Sequence, residues 1–397
     1  MKRLSFLLLF IFIALLSFAQ AKYVFYFIGD GMGPNQVLAA EMYQAALQGK
    51  IGRIPLCMTQ FPYSGQAATF SASDGITDSA AAGTCLASGK KTNNGMIGQT
   101  PDGEFAYSVA SQLKEQGWAI GIMTSVPVDH ATPASHYAHA EKRYEYYKIG
   151  THLSQSGFEF FGGGGFQSPV NKNDASAPNL YNLTRQNGYT IVGSYDDAKQ
   201  NINASKMLLV PANDLANPTK GAGALPYAID RKEGDLSLAQ IVDIAIQFLS
   251  KHDRFFMMAE GGKIDYSGHG NDGATNIHEV MDLDKAIQVA YQFYLQHPDE
   301  TLIVVTADHE TGGLNLGKAD EFELQMLQYQ KCSSDQLSTR LSALHKEKGE
   351  KLTWEQVKTL LAENTGLYAE IELDNEEDDA LQYAYKQMMR KQGTIKT

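Results

Sequence analysis

Cysteine is scarce in this chain, with Cys57, Cys85 and Cys332 the only three in 397 residues. That is too few for a disulfide framework, and their spacing offers no Cys-x-x-Cys metal site, so they read as partly buried free thiols. Positive charge is also short: 33 Lys and Arg face 45 Asp and Glu, leaving a formal charge of −12. Without a broad basic surface to neutralise phosphates, a nucleic-acid or anionic-membrane binder is excluded. The glycine run Phe161-Gly-Gly-Gly-Gly-Phe166 lacks the Gly-Lys-Ser/Thr that would make it a P-loop and is expected to be a flexible loop. No internal repeat and no clean linker interrupt the chain, whose length suits one large domain or two small ones.

What is present begins with a leader. Met1-Lys2-Arg3, the apolar run Leu4 to Ala19 and Ala19-Gln20-Ala21 have the order of a secretory signal over residues 1–21 with a small-residue cleavage site. As a membrane span the run is short and lacks a basic stop, so no stable membrane anchor is expected. The mature chain, from Lys22, would be exported to a periplasm or beyond. Loss of Lys2 and Arg3 makes it more acidic still.

Strand and helix patterns then alternate. Tyr23 to Ile28, Trp118 to Thr124, Phe255 to Ala259 and Thr301 to Thr306 are continuous apolar and β-branched runs, as strands buried on both faces require. Leu238 to Leu249 and Ile277 to Leu295 carry apolar residues at helical spacings. The expectation is an α/β fold, a three-layer sandwich with a central, mostly parallel β-sheet flanked by helices. A loop-rich insertion is expected over residues 150–234 and a charged helical one over residues 318–397. Within the latter, Glu370 to Asp379 reads as a solvated acidic face rather than a calcium loop.

Four stretches carry chemistry. Asp74-Gly-Ile-Thr-Asp-Ser-Ala-Ala-Ala-Gly-Thr84 places Ser79 before a run of small residues, where a helix start can turn its positive end toward an anion. Locally, Thr-Asp-Ser is equally an ordinary N-cap. The others are Ile28-Gly-Asp30-Gly-Met-Gly33, Glu260-Gly-Gly-Lys-Ile-Asp265-Tyr-Ser-Gly-His269 and Thr306-Ala-Asp308-His309-Glu-Thr-Gly-Gly313. Asp265 and His269, four apart, suit one ion; Asp308 and His309 are adjacent at a strand end. Either pair alone could be a loop salt link or a cap. Asp30, Thr132, Glu260, Asp265, Asp308 and His309 all fall at or just after predicted strand ends, where parallel sheets gather their ligands.

Taken in chain order, the four stretches resemble the alkaline phosphatase family, over roughly residues 22–320. The resemblance implies a phosphate monoester hydrolase with Ser79 as nucleophile and a phosphoserine intermediate. Arg143, in the similar segment His130 to Arg143, would clamp the phosphoryl oxygens. One Zn2+ would take Asp30, Asp308 and His309, a second Zn2+ Asp265 and His269, and one Mg2+ would share Asp30 with Thr132 and Glu260. His130 would act only through water. The partners implied are small-molecule phosphate monoesters, and relatives are commonly homodimers. The family's third ligand to the second zinc, a late histidine, has no counterpart after His309. His345, the one later histidine, reads as exposed on a charged helix. The expectation is therefore a C-terminally incomplete sequence. The alternative is a secreted phosphate- or metal-binding protein that has lost catalysis with that ligand.

Overall fold

The computed structural model describes residues 21–316 and 323–390; the expected leader up to residue 20 lies outside them, as do residues 317–322 and 391–397. Seven strands form one sheet: β1 (Tyr23–Gly29), β2 (Ala119–Pro127), β3 (Phe160–Gly164), β4 (Thr190–Val192), β5 (Met207–Leu209), β6 (Phe255–Gly261) and β7 (Thr301–Ala307). Their order is β4-β5-β3-β2-β6-β1-β7, and every pairing is parallel. Eight helices matter below: α1 (Pro34–Ala46), α2 (Ser79–Ser88), α3 (Leu238–Leu249), α4 (Lys263–His269), α5 (Gly273–Gln296), α6 (Ser334–Lys348), α7 (Trp354–Thr365) and α8 (Asn375–Arg390).

Alternation along the central strands creates two cores. Phe25 and Phe27 of β1 and Phe255, Met257 and Ala259 of β6 face the apolar sides of α1, α3 and α5. Ile28, Phe256 and Met258 face the other layer, with Ala80 of α2 and residues of the helix Ala131–Ala134. Each fully buried Phe or Leu contributes roughly 1.5–3 kcal/mol. The sheet is thus held from both sides, and the expected sandwich is the one observed.

The glycine run corrects one expectation. Phe161 to Gly164 belong to β3, buried throughout and paired with β2 and β5. A Cβ on Gly162 would lie 2.4 Å from the Ile241 side chain of α3. Gly162 therefore lets a helix close on the strand, while Gly163 and Gly164 lie against the backbone of Val126 and Pro127 of β2; composition alone made them look like a loop. The region expected to be loop-rich also supplies β4 and β5, each three residues long.

The C-terminal helices α6, α7 and α8 close around a small core of their own, with Leu341, Leu352, Val357, Leu361 and Met388 buried. His345 is partly buried, not exposed, because it stands four positions after Leu341 beside the stripe that faces this core. Glu370, Glu372, Asp374, Glu376, Glu377 and Asp379 are exposed, as a solvated acidic face requires. At the opposite margin, β7 pairs with β1 alone among the described residues, and its Leu302 and Val304 are 47% and 36% exposed.

Candidate active site

The sheet register brings the acids together. Ile28 pairs with Glu260 and with Thr306, and Gly29 pairs with Gly261 and Ala307. Asp30, Glu260 and Asp308 consequently leave three neighbouring strands at one carboxyl edge. Gly31 has φ +71°, and a Cβ there would approach the Asp265 backbone to 2.8 Å. Only glycine allows the turn after β1 to press against α4.

Ser79 is the first residue of α2, and Asp78, not Ser79, is the N-cap, accepting from the Ala81 backbone N–H at 3.0 Å. The serine is thereby free of the capping duty. Its Oγ is 3.4 Å from Asp30 Oδ1, to which it donates, and 3.3 Å from His309 Nε2. At 3% exposure it lies within the site and not on the surface.

Around that hydroxyl, His309 Nε2 is 3.4 Å from Asp30 and 3.5 Å from Asp308, while His269 Nε2 is 3.5 Å from Asp265. Asp308 accepts from the backbone N–H groups of Gly31 (3.1 Å) and His309 (2.8 Å). Ligand atoms of Asp30, Asp265 and His309 lie within 4.8 Å of one another, and so do those of Asp30, His130 and Glu260. Arg143 reaches Asp78 Oδ2 (3.0 Å) and His130 Nε2 (3.3 Å), so its guanidinium is fixed to the cap of the serine's helix and makes no direct bond to Ser79. Thr132 lies fully buried in the short helix after β2. His130 is also buried in the site; burial and then the nearby Arg143 depress its pKa to about 3, keeping it neutral.

Two threonines complete the frame. Thr311 donates to Asp265 Oδ1 at 2.6 Å and stands 3.2 Å from His309 Nδ1, orienting a residue of each pair. Thr124 of β2 donates to Glu260. Thr311 belongs to the Thr306 to Gly313 stretch, whereas Thr124 gives no sequence signal beyond ending a strand run. Of the remaining histidines, His139 packs on Phe105, His278 on Tyr43 and His297 on Tyr23, while His252 is exposed.

The electrostatics ask for cations. Burial, reinforced by Asp308, Asp265 and Glu260, holds the Asp30 carboxyl well above its usual range. Burial raises Asp308 as well and Glu260 to about 7. Among the described residues, Asp30 Oδ2, Thr132 Oγ1 and Glu260 Oε1 are buried without a hydrogen-bond partner. Three orphaned oxygens from three elements form a set suited to a hard cation, and the imidazole-carboxylate groups beside them suit zinc. The residues therefore fit the metals that the resemblance implies.

Fold and site together define an α/β sandwich whose carboxyl edge presents a serine hydroxyl to a metal-competent cluster. A family model described as alkaline phosphatase matches residues 21–392, and the chain belongs to the alkaline phosphatase family. It is 32% identical over 332 residues to the tissue-nonspecific alkaline phosphatase of Gallus gallus, covering 73% of this chain and 63% of that protein. To alkaline phosphatase 4 of Bacillus subtilis (strain 168) it is 32% identical over 315 residues, covering 76% and 64%. The chain thus spans less than two thirds of either relative's length. The crystal structure of a cold-active alkaline phosphatase from the psychrophile Shewanella sp. superimposes with a TM-score of 0.76 and 26% identity, over 92% of this chain and 84% of that one.

Proposed function

We propose that the chain hydrolyses phosphate monoesters through a phosphoserine on Ser79. The observation that carries this is the position of the Ser79 hydroxyl at the start of α2, between Asp30 and His309. Ser79 Oγ attacks phosphorus in line, forming one P–O bond as the bond to the ester alcohol breaks. Water then cleaves the phosphoserine, releasing phosphate and restoring the hydroxyl. The positive end of α2 faces the incoming anion. Arg143, steadied by Asp78, turns its remaining donors toward the phosphoryl oxygens, for which a planar guanidinium is suited.

Two Zn2+, one held by Asp30, Asp308 and His309 and the other by Asp265 and His269, with a Mg2+ on Asp30, Thr132 and Glu260, would supply the positive charge that acidifies a bound hydroxyl and offsets charge on the reacting oxygens. Thr311 and Thr124 hold Asp265 and Glu260 in place for that role. The neutral His130, buried beside Glu260, would act only through water. Such help matters because uncatalysed phosphate monoesters are so inert that enzymes accelerate their hydrolysis by up to about 10²¹-fold. The leader-like residues 1–21 support export, and no helix among the described residues is long and apolar enough to cross a membrane.

Release of p-nitrophenol from its phosphate ester, with zinc and magnesium supplied, tests the activity. Acid-quenched mass spectrometry should find phosphate on the Ser79 peptide. Retention of phosphate without turnover would instead support a binding protein.

A further inference from the structure

Asp272 stands where two helices begin. Its Oδ1 accepts from the Thr275 backbone N–H (3.2 Å), capping α5, and from the Gln330 side chain (2.8 Å). Its Oδ2 accepts from the Thr275 hydroxyl (2.7 Å) and from the backbone N–H of Ser334, the first residue of α6 (2.7 Å). Close by, Asp230 takes the backbone N–H (2.9 Å) and hydroxyl (2.5 Å) of Ser333, the N-cap of α6. Two carboxylates of the α/β body therefore grip the start of the C-terminal helical unit, at the helix end that favours negative charge.

Asp272 is also three residues beyond His269. The chain between them is wound tightly, with Gly270 N–H on Tyr266 O (3.1 Å), Asn271 N–H on Gly268 O (3.0 Å) and Asp272 N–H on Ser267 O (3.0 Å). Asn271 takes φ +49°, a left-handed conformation that asparagine tolerates better than most residues. Through this stiff turn, the place of Asp272 fixes the C-terminal end of α4, where His269 sits. His269 needs such an anchor, since its side chain is 73% exposed and stands 3.5 Å from Asp265.

We infer that Asp272 is a positioning residue, through which the seating of α6 on the body sets how tightly Asp265 and His269 hold their metal ion. The inference rests on the reading of that pair as a zinc site. Two substitutions break the same bond in different ways. Ser334→Pro removes the N–H donor, together with the serine hydroxyl: proline is favoured at the first position of a helix, and Ser333 before it is already extended (φ −65°, ψ 160°). Asp272→Asn keeps a good cap for α5 but turns one acceptor into a donor facing donors.

The measurement is zinc affinity by chelator competition on the full chain, with His269→Ala marking the ion that belongs to this pair. In both variants that ion should bind about threefold or more weakly, a smaller loss than the roughly 10–100-fold that follows removal of a group bonded directly to a metal ligand. The other ion should be unaffected, the metal-free chain should stay folded in both variants by circular dichroism, and turnover should be restored by excess zinc. Wild-type affinity for both ions, or equal weakening of both, overturns the inference. A wild-type chain from which His269→Ala removes no zinc overturns the zinc reading of the pair, and this inference with it.

Discussion

Two acidic regions of this molecule are built on opposite terms. At the carboxyl edge of the sheet Asp30, Glu260, Asp265 and Asp308 are at most 5% exposed and crowd one another, whereas Glu376, Glu377 and Asp379 of α8 stand in water. Burying like charges costs several kcal/mol unless cations meet them, so the first cluster persists only where it is used. Solvated charges cost almost nothing, and the second needs no partner. Burial, rather than acid content, is what separates a site from a surface.

The sharpest way to break the comparison is at the hydroxyl that the buried acids surround. Ser79→Ala should lower phosphomonoester turnover by about 10³-fold or more while zinc stoichiometry by metal analysis is retained. Wild-type rates in that variant would remove Ser79 from the mechanism. On the other side, Leu361→Ala empties part of the small helical core and should cost about 2–4 kcal/mol in unfolding of that unit by hydrogen exchange.

Asp30→Asn sharpens the contrast through a change of sign. With chelator present it should stabilise the fold by roughly 1–3 kcal/mol in thermal unfolding, because one crowded charge is gone; with zinc and magnesium it should be the less stable protein. The pH dependence has the same origin. Burial raises Glu260, Asp129 and Glu279 to about 7, above the usual carboxylate range. Their contribution to stability is intact below the unfolded value and is lost as pH rises through about 7. The metal-free melting temperature of Glu260→Gln should therefore fall less, or rise more, between pH 5 and pH 8 than that of the unaltered chain, and added metals should remove that difference. The smallest change belongs to the solvated face, where Glu376→Gln should move stability by less than about 0.5 kcal/mol.

Much of this was legible in the order of residues. Long apolar runs located β1, β2, β6 and β7, and helical spacing located α3 to the residue. Donors placed just past strand ends were enough to foresee that Asp30, Glu260 and Asp308 would meet, because parallel register carries neighbouring ends to one edge. Local pattern failed where tertiary packing decides: Gly162 of β3 serves a helix that lies far along the chain, and β4 and β5 are too short to show a period. The attachment of Arg143 to Asp78 and the bond from Thr311 to Asp265 depend on distances between segments that no spacing reveals.

The margin at β7 is an adhesive one. Among the described residues this ribbon is bonded on one side only, with Leu302 and Val304 exposed, and such an edge offers any extended polypeptide a template of backbone donors and acceptors. Concentrated preparations of this chain should accordingly self-associate through that ribbon, and a lysine in place of Leu302 should slow the growth of particles seen by light scattering.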